Sequence, residues 1–301
     1  MRLSGELLAR CAFPSPGTKV TCGFSGGPDS SALLALAVAA ELEVVAVHIH
    51  HGIRPEADDE AAAAERIADR LGVIFTCSRA ELDDGANFEA RARAARFDLL
   101  GPDALTGHTA DDQAETVLLA LLRGSGATGL SAMRPSITRP LLGLRRSETQ
   151  QLCAALGLNP VEDPTNTNPR FRRNRVRHEL LPLLNAIAER DVVPLLVRSA
   201  DLLGDDDSLL DGLAAEVNPT DAKALAAAPL PVARRAIRAW LSIDGYPPDA
   251  AAVARVLQVA TGSRSACEVT GVGRVRRSQQ QLWVEPITST TPHFPSTPST
   301  R

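Results

Sequence analysis

Residues 20–31, VTCGFSGGPDSS, decide how this chain is read. An apolar, β-branched run ends at Phe24, two glycines follow, and from Ser31 the apolar stretch SALLALAVAAELE carries helical character. A strand that enters a glycine turn and then a helix is the place where an α/β protein holds phosphate. Gly26 and Gly27 have no Cβ, so the backbone there can adopt φ > 0 and bring its N–H groups against an anion. Ser25, Ser30 and Ser31 add hydroxyl donors, and the following helix offers its unsatisfied first-turn N–H groups and positive dipole end. Asp29 is the odd member. A carboxylate beside a phosphate cradle repels the ligand unless a divalent cation lies between them, so Asp29 points to Mg²⁺. The competing reading is a plain strand-to-helix turn, since all these residues are good turn formers.

Outward from this stretch the pattern alternates. Strand-like KVTCGF, ELEVVAVHIHH, VIFTCSR and DALTGH are separated by helical SALLALAVAAE, EADDEAAAAERIADRLG and FEARARAARFDLL. The expected fold is α/β: a parallel twisted sheet with helices on both faces, followed by a smaller α-helical domain. Ligands in such sheets bind beyond the carboxyl ends of the strands. From about residue 186 the pattern becomes helices only, clearest in LLVRSADLLGDDDSLLDGLAAEV and PVARRAIRAWL. The expected organisation is therefore a catalytic domain over 1–185, a helical domain over 186–285, and a Pro/Ser/Thr-rich tail over 286–301 with too little apolar surface to order itself.

Composition narrows the class. With 301 residues and 44% hydrophobic content the chain can bury a full core. No signal peptide and no apolar run of membrane-spanning length are visible, which makes a cytoplasmic enzyme the default and leaves no membrane partner. The five cysteines are scattered with no CxxC pair, so neither a disulfide framework nor a zinc or iron–sulfur site is indicated. The net charge of −4 argues against a general nucleic-acid binder, but a local basic patch is what RNA requires.

Three further constellations fall at strand ends or helix entries. In His48-Ile49-His50-His51-Gly52-Ile53-Arg54, neighbouring side chains on a strand point to opposite faces, and no matching acid or cysteine completes a metal site. His51 and Arg54 are better placed to contact a nucleotide from the following loop, the alternative being an ordinary polar loop. In Gly107-His108-Thr109-Ala110-Asp111-Asp112-Gln113-Ala114-Glu115-Thr116, Thr109 or Asp111 can cap a helix and Glu115 can favour its first turn. Capping needs only one acid, so the Asp111-Asp112 pair suggests Mg²⁺ binding, with Asp29 and Asp111 as candidate ligands, or the positioning of a nucleophile. Upstream, Arg93 and Arg96 share a helix face, either a solvated one or a clamp on ATP and a polyanionic substrate. Finally, Arg170, Arg172, Arg173, Arg175 and Arg177 lie within nine residues with no acid among them. Such a run is unfavourable unless an anion neutralises it, and a phosphate backbone is the obvious one; a solvated helix face is the alternative.

The GxxxxGK[ST] and GxGxxG fingerprints are both missing. What is present resembles the PP-loop, SGGxDS, of the N-type ATP pyrophosphatases, which cleave ATP between its α- and β-phosphates. SGGPDS, HHGIR, GHTADDQAET, RPLL, EDPTN and RNRVRHELLPLL, in this order, resemble tRNA(Ile)-lysidine synthetases over roughly residues 18–185. The resemblance implies ATP and Mg²⁺ as cofactors, free L-lysine and a CAU-anticodon tRNA(Ile) as substrates, and lysidine at the wobble cytidine as product. It implies ATP on Ser25, Gly26, Gly27, Pro28, Asp29 and Ser30 with His51 and Arg54 nearby, and chemistry at Asp29, Arg93, Asp111 and Asp112. The tRNA backbone would lie on Arg172, Arg173, Arg175 and Arg177. Phe97 departs from the family's tyrosine in ARxxRY, and the chain is short beside members with an extra C-terminal tRNA-binding domain. Oligomeric state stays open, a homodimer among the options. The competing classes are a PP-loop tRNA 2-thiolation enzyme, against which the missing CxxC counts, a small-molecule amidotransferase or synthetase, and an ATP-binding sensor without chemistry. The carboxylates beside the loop speak against a sensor.

Overall fold

The computed structural model describes residues 2–50, 57–79, 99–161, 168–243 and 245–286. Two compact units divide the chain, Met1–Gly204 and Asp205–Arg301. In the first, helix α1 (Arg2–Leu8) precedes strand β1 (Lys19–Gly23), followed by α2 (Pro28–Ala39), β2 (Glu43–His50), α3 (Ala57–Leu71) and β3 (Ile74–Arg79). The strands form a parallel sheet in the order β1-β2-β3, with Lys19 opposite Glu43 and Val45 opposite Ile74. Val44, Ala46, His48 and His50 alternate as the buried residues of β2, the period-two pattern of a strand with one face in the core.

The sequence suggests a fourth strand in DALTGH. There the structure has only an isolated parallel bridge, Cys22 to Leu105, held by Gly23 N–H to Leu105 O (2.9 Å) and Leu105 N–H to Thr21 O (2.8 Å). The chain leaves the sheet at the next residue, because Thr106 donates its N–H to Thr138 O (2.9 Å) and Gly107 is pressed against the first turn of α2.

Helix α2 is buried along most of its length, Ser30 through Ala37, and so is apolar on every side rather than striped. It packs with Phe24, Leu105, Leu141, Leu144 and Leu152 in the main core. Beyond it come α4 (Ala110–Leu122), α5 (Ala127–Leu130) and α6 (Arg146–Ala155). Residues 172–188 wind as a helix with a π segment inside it: α7 (Arg172–Arg175), the π turn Val176–Leu180, then α8 (Leu181–Ala188), followed by α9 (Val193–Ala215).

The second unit is not helices alone. After α10 (Ala222–Ala227), α11 (Leu230–Trp240) and α12 (Ala250–Thr261), residues 266–285 form an antiparallel sheet of β4 (Ala266–Val269), β5 (Gly273–Ser278) and β6 (Gln281–Glu285). This corrects the all-helical expectation for the region. β5, GRVRRS, buries Gly273 and Val275 and exposes Arg274 and Arg276, an alternation in which the arginines conceal a very short apolar face. Val256, Val259, Cys267, Val269, Val275 and Leu282 bring α12 and the sheet into one core.

Gly107 meets backbone closely. A Cβ there would lie 2.8 Å from Asp29 O and 3.1 Å from Ser30 N. Both neighbours are main chain and cannot swing away, so Gly107→Ala is expected to cost about 1–3 kcal/mol, measured as a lowered urea midpoint.

Candidate active site

The phosphate-type loop is built from main chain and its own hydroxyls. Gly26 has φ +80°, where an L side chain is strained, and a Cβ there would also approach Val161 Cγ2 to 3.1 Å and Ala64 Cβ to 3.3 Å. The conformation is pinned by Val161 N–H to Gly26 O (2.9 Å), Ser30 Oγ–H to Gly27 O (3.0 Å) and Ser31 Oγ–H to Gly26 O (3.3 Å). Ser31 is fully buried and braces the loop. Ser25 is exposed, with its hydroxyl 3.1 Å from that of Ser30. Gly27 is the N-cap of α2, Pro28 opens the helix, and Asp29 lies in its first turn.

Asp29 faces α6. Its Oδ1 accepts from Thr149 Oγ1 (2.5 Å) and its Oδ2 from Arg146 Nε (3.3 Å). Burial pushes its carboxyl above the usual range, and the Thr149 hydrogen bond and the Arg146 charge offset this only in part.

The acidic helix α4 divides its carboxylates between different partners. Thr109 and Asp112 form a capping box: Asp112 Oδ2 accepts from the Thr109 N–H and hydroxyl, both at 2.9 Å. The second acid, Asp111, gives both oxygens to Arg145, each at 3.0 Å, and accepts from the Arg146 N–H at 2.8 Å. Arg145 also pairs with Asp191. Glu115, expected at most to favour the first turn, is fully buried. It receives Arg146 Nη1 (3.0 Å), Arg173 Nε (2.7 Å) and Arg177 Nε (2.7 Å). Arg146 Nη2 reaches Asp112 Oδ1 at 2.9 Å, so each guanidinium nitrogen of Arg146 meets a different carboxylate. Burial raises the Asp111 and Asp112 carboxyls, but Arg145 at the first and Arg146 at the second outweigh it and hold both below the ordinary range.

The sequence thus reveals the carboxylates but not their partners. Arg145, Arg146 and Thr149 were missed; the signal was the Arg-Arg pair shortly after RPLL, ahead of a helix whose next turn carries a threonine. The 170–177 run, which has no acid within it, meets acids from outside it. Arg173 and Arg177 turn inward to Glu115 and Asp112, and Arg175 pairs with Glu179. Arg172 is exposed, with no partner among the described residues. His51, Arg54, Arg93, Arg96, Phe97 and the EDPTN stretch lie outside the described residues. His48 is buried with Nδ1 3.0 Å from Phe24 O, and burial lowers its proton affinity, so it is a neutral core residue. Among the described residues no group of three or more His, Cys, Asp or Glu is arranged to hold a metal, and no helix is long and apolar enough to cross a membrane.

A glycine loop capping a helix, with an aspartate in its first turn, at the carboxyl end of a parallel strand, defines an ATP-binding protein of the PP-loop class. Residues 5–184 match the PP-loop domain family, and residues 221–283 match the TilS substrate binding domain. The chain is 43% identical over 249 residues to a tRNA(Ile)-lysidine synthase of Nocardia farcinica, covering 77% of this chain and 78% of the relative. It is also 43% identical over 268 residues to that of Mycobacterium bovis, covering 81% of each. The chain belongs to the tRNA(Ile)-lysidine synthase family. Among solved structures, the U34-tRNA thiolase NcsA of Methanococcus maripaludis, with its [4Fe-4S] cluster, superposes with a TM-score of 0.55 at 19% identity over 67% of this chain and 78% of that one, a likeness of fold.

Removing the Glu115 charge leaves three guanidiniums facing a neutral group in the interior. Glu115→Gln is expected to cost about 3–5 kcal/mol, checked by urea unfolding followed by circular dichroism. The depressed carboxyls of Asp111 and Asp112 contribute stability that is complete above their unfolded-state value and is lost as pH falls through the lower folded value; Asp29, raised, contributes with the opposite sign. An acid titration of the unfolding midpoint in wild type and Asp111→Asn is expected to show a smaller acid loss in the variant.

Proposed function

We propose that this protein attaches lysine to C2 of the wobble cytidine of a CAU-anticodon tRNA(Ile) in an ATP-driven reaction that releases AMP and pyrophosphate. Membership of the family, with a PP-loop domain and a substrate binding domain in one chain, carries the reading. In the first step the C2 carbonyl oxygen of cytosine attacks the α-phosphorus and pyrophosphate leaves. In the second, the lysine ε-amine attacks C2, the C2–O bond breaks, AMP departs with that oxygen, and the amine's protons pass to solvent or a neighbouring carboxylate. The target base must leave its stack, which costs least in a single-stranded anticodon loop.

The loop N–H groups and the Ser25 and Ser30 hydroxyls take the phosphates, with His51, Arg54 and Arg93 as further proposed contacts. Mg²⁺ bound with ATP commonly uses only one or two protein carboxylates, and supplies neutralisation of the phosphate charge. Asp29 fits that role, because its carboxylate is partly exposed beside the loop. Asp111 fits less well, because three donors, two from Arg145 and the Arg146 N–H, fill its oxygens, against a single donor on each oxygen of Asp29. Asp111 and Asp112 remain candidates for orienting lysine; an incoming ammonium must there exchange with a guanidinium. Of the four proposed tRNA-binding arginines, Arg172 is exposed with no partner among the described residues, Arg175 shares its charge with an exposed Glu179, and Arg173 and Arg177 direct theirs to Glu115.

The decisive experiment incubates the protein with CAU-anticodon tRNA(Ile), Mg·ATP and isotopically labelled lysine, followed by nucleoside mass spectrometry. Labelled lysidine is expected; unmodified cytidine with AMP release would transfer the chemistry to another acceptor. Asp29→Ala is expected to abolish turnover with tRNA affinity nearly intact. Arg172→Ala is expected to lower the salt slope of tRNA binding by about 1 without lowering the melting temperature, whereas Arg173→Ala lowers it.

A further inference from the structure

Helix α6 addresses the phosphate loop through one stripe. Arg146, Thr149 and Cys153 stand at i, i+3 and i+7, the spacing of one helix face. All three touch the first turn of α2: Arg146 Nε and Thr149 Oγ1 on the two oxygens of Asp29, and Cys153 Sγ 3.3 Å from Pro28 O. Thr149 is fully buried. An aspartate on an exposed helix end would sample several rotamers; here each oxygen has its own donor, and the donors come from a single rigid element.

We propose that Arg146 and Thr149 are positioning residues that fix the Asp29 carboxylate beside the ATP phosphates, acting through Asp29 and not on the nucleotide. This rests on the reading of the loop as the ATP site. Arg146 has a second duty, since its other two nitrogens hold Asp112 and Glu115 on α4. The guanidinium thereby sets the spacing between the Asp29 carboxylate and the acidic end of α4. A lysine there keeps the charge but not the three-way fork.

The opposite side of the same helix provides a control. Glu148 on α6 pairs with Arg10 (2.5 Å), which also donates to Gly143 O (2.6 Å), and neither contact involves Asp29. Arg10→Ala should loosen the attachment of α6 and leave the clamp intact. AMP formation would be measured for wild type, Thr149→Val, Thr149→Ser, Arg146→Lys and Arg10→Ala, with melting temperatures and direct ATP titration in parallel. Thr149→Val and Arg146→Lys are expected to lower kcat about tenfold, with KM for tRNA and ATP affinity changed by less than about twofold. Thr149→Ser restores the hydroxyl and is expected to keep kcat within about twofold of wild type, and Arg10→Ala to lower the melting temperature while keeping kcat. Should Arg146→Lys fail to fold, the two Thr149 variants decide the matter without it. Full kcat in Thr149→Val, or an equal kcat loss in Arg10→Ala or Thr149→Ser, overturns the inference. A wild-type protein that binds no ATP and releases no AMP overturns the ATP-site reading itself.

Discussion

The neutralisation of Glu115 is the constraint on which the catalytic unit depends. A carboxylate removed from water is tolerated only when its charge is matched and its lone pairs are filled. Glu115 achieves this with Arg146, Arg173 and Arg177, drawn from two separate stretches of chain. Counted with Asp29 and Asp112, three carboxylates face three guanidiniums. The cluster is neutral as a whole, so it holds four segments together without presenting a net charge to the glycine loop beside it.

Such a cluster adds little net stability, since desolvation cancels most of the attraction among its members. What it provides is geometry. Apolar contacts tolerate sliding, whereas a guanidinium forked over three carboxylates does not. The same division of labour explains why Arg145 and Arg146, adjacent in sequence, serve different acids: Arg145 ties Asp111 to Asp191, and Arg146 ties Asp29 to α4.

Much of this architecture is legible in the sequence because it is local. The glycine turn, the alternation of strands and helices, and the helix cap at Thr109 arise from side-chain sterics and short-range hydrogen bonding, which a linear reading samples directly. The identity of the acids at 29, 111 and 112 was equally plain, as they stand at the ends of periodic runs. The pairing of those acids was not, because Arg146 is 117 residues from Asp29 and Arg177 is 62 from Glu115, and nothing in spacing encodes a contact that only tertiary packing creates. The pairing of Arg173 and Arg177 within the arginine run was hidden for the same reason: their counter-ion, Glu115, sits on a different helix. The antiparallel sheet at 266–285 escaped notice because its strands are short and one carries three arginines, so composition masked the period of two.

The π turn at Val176–Leu180 resets the facing of every helical residue after it. In an unbroken α-helix Leu181 would stand one turn beyond Arg177 and two beyond Arg173, on the same face, and its hydrocarbon would be driven against the ionised cluster. The additional residue in the π turn swings later side chains around the axis by roughly a quarter of a revolution. Leu181 instead joins Ala110, Ala114, Leu118 and Val176 in an apolar cluster. One inserted residue in the helical ladder thus acts as a phase shifter, letting a single rod present an ionic face and then an oily one to the same neighbouring helix.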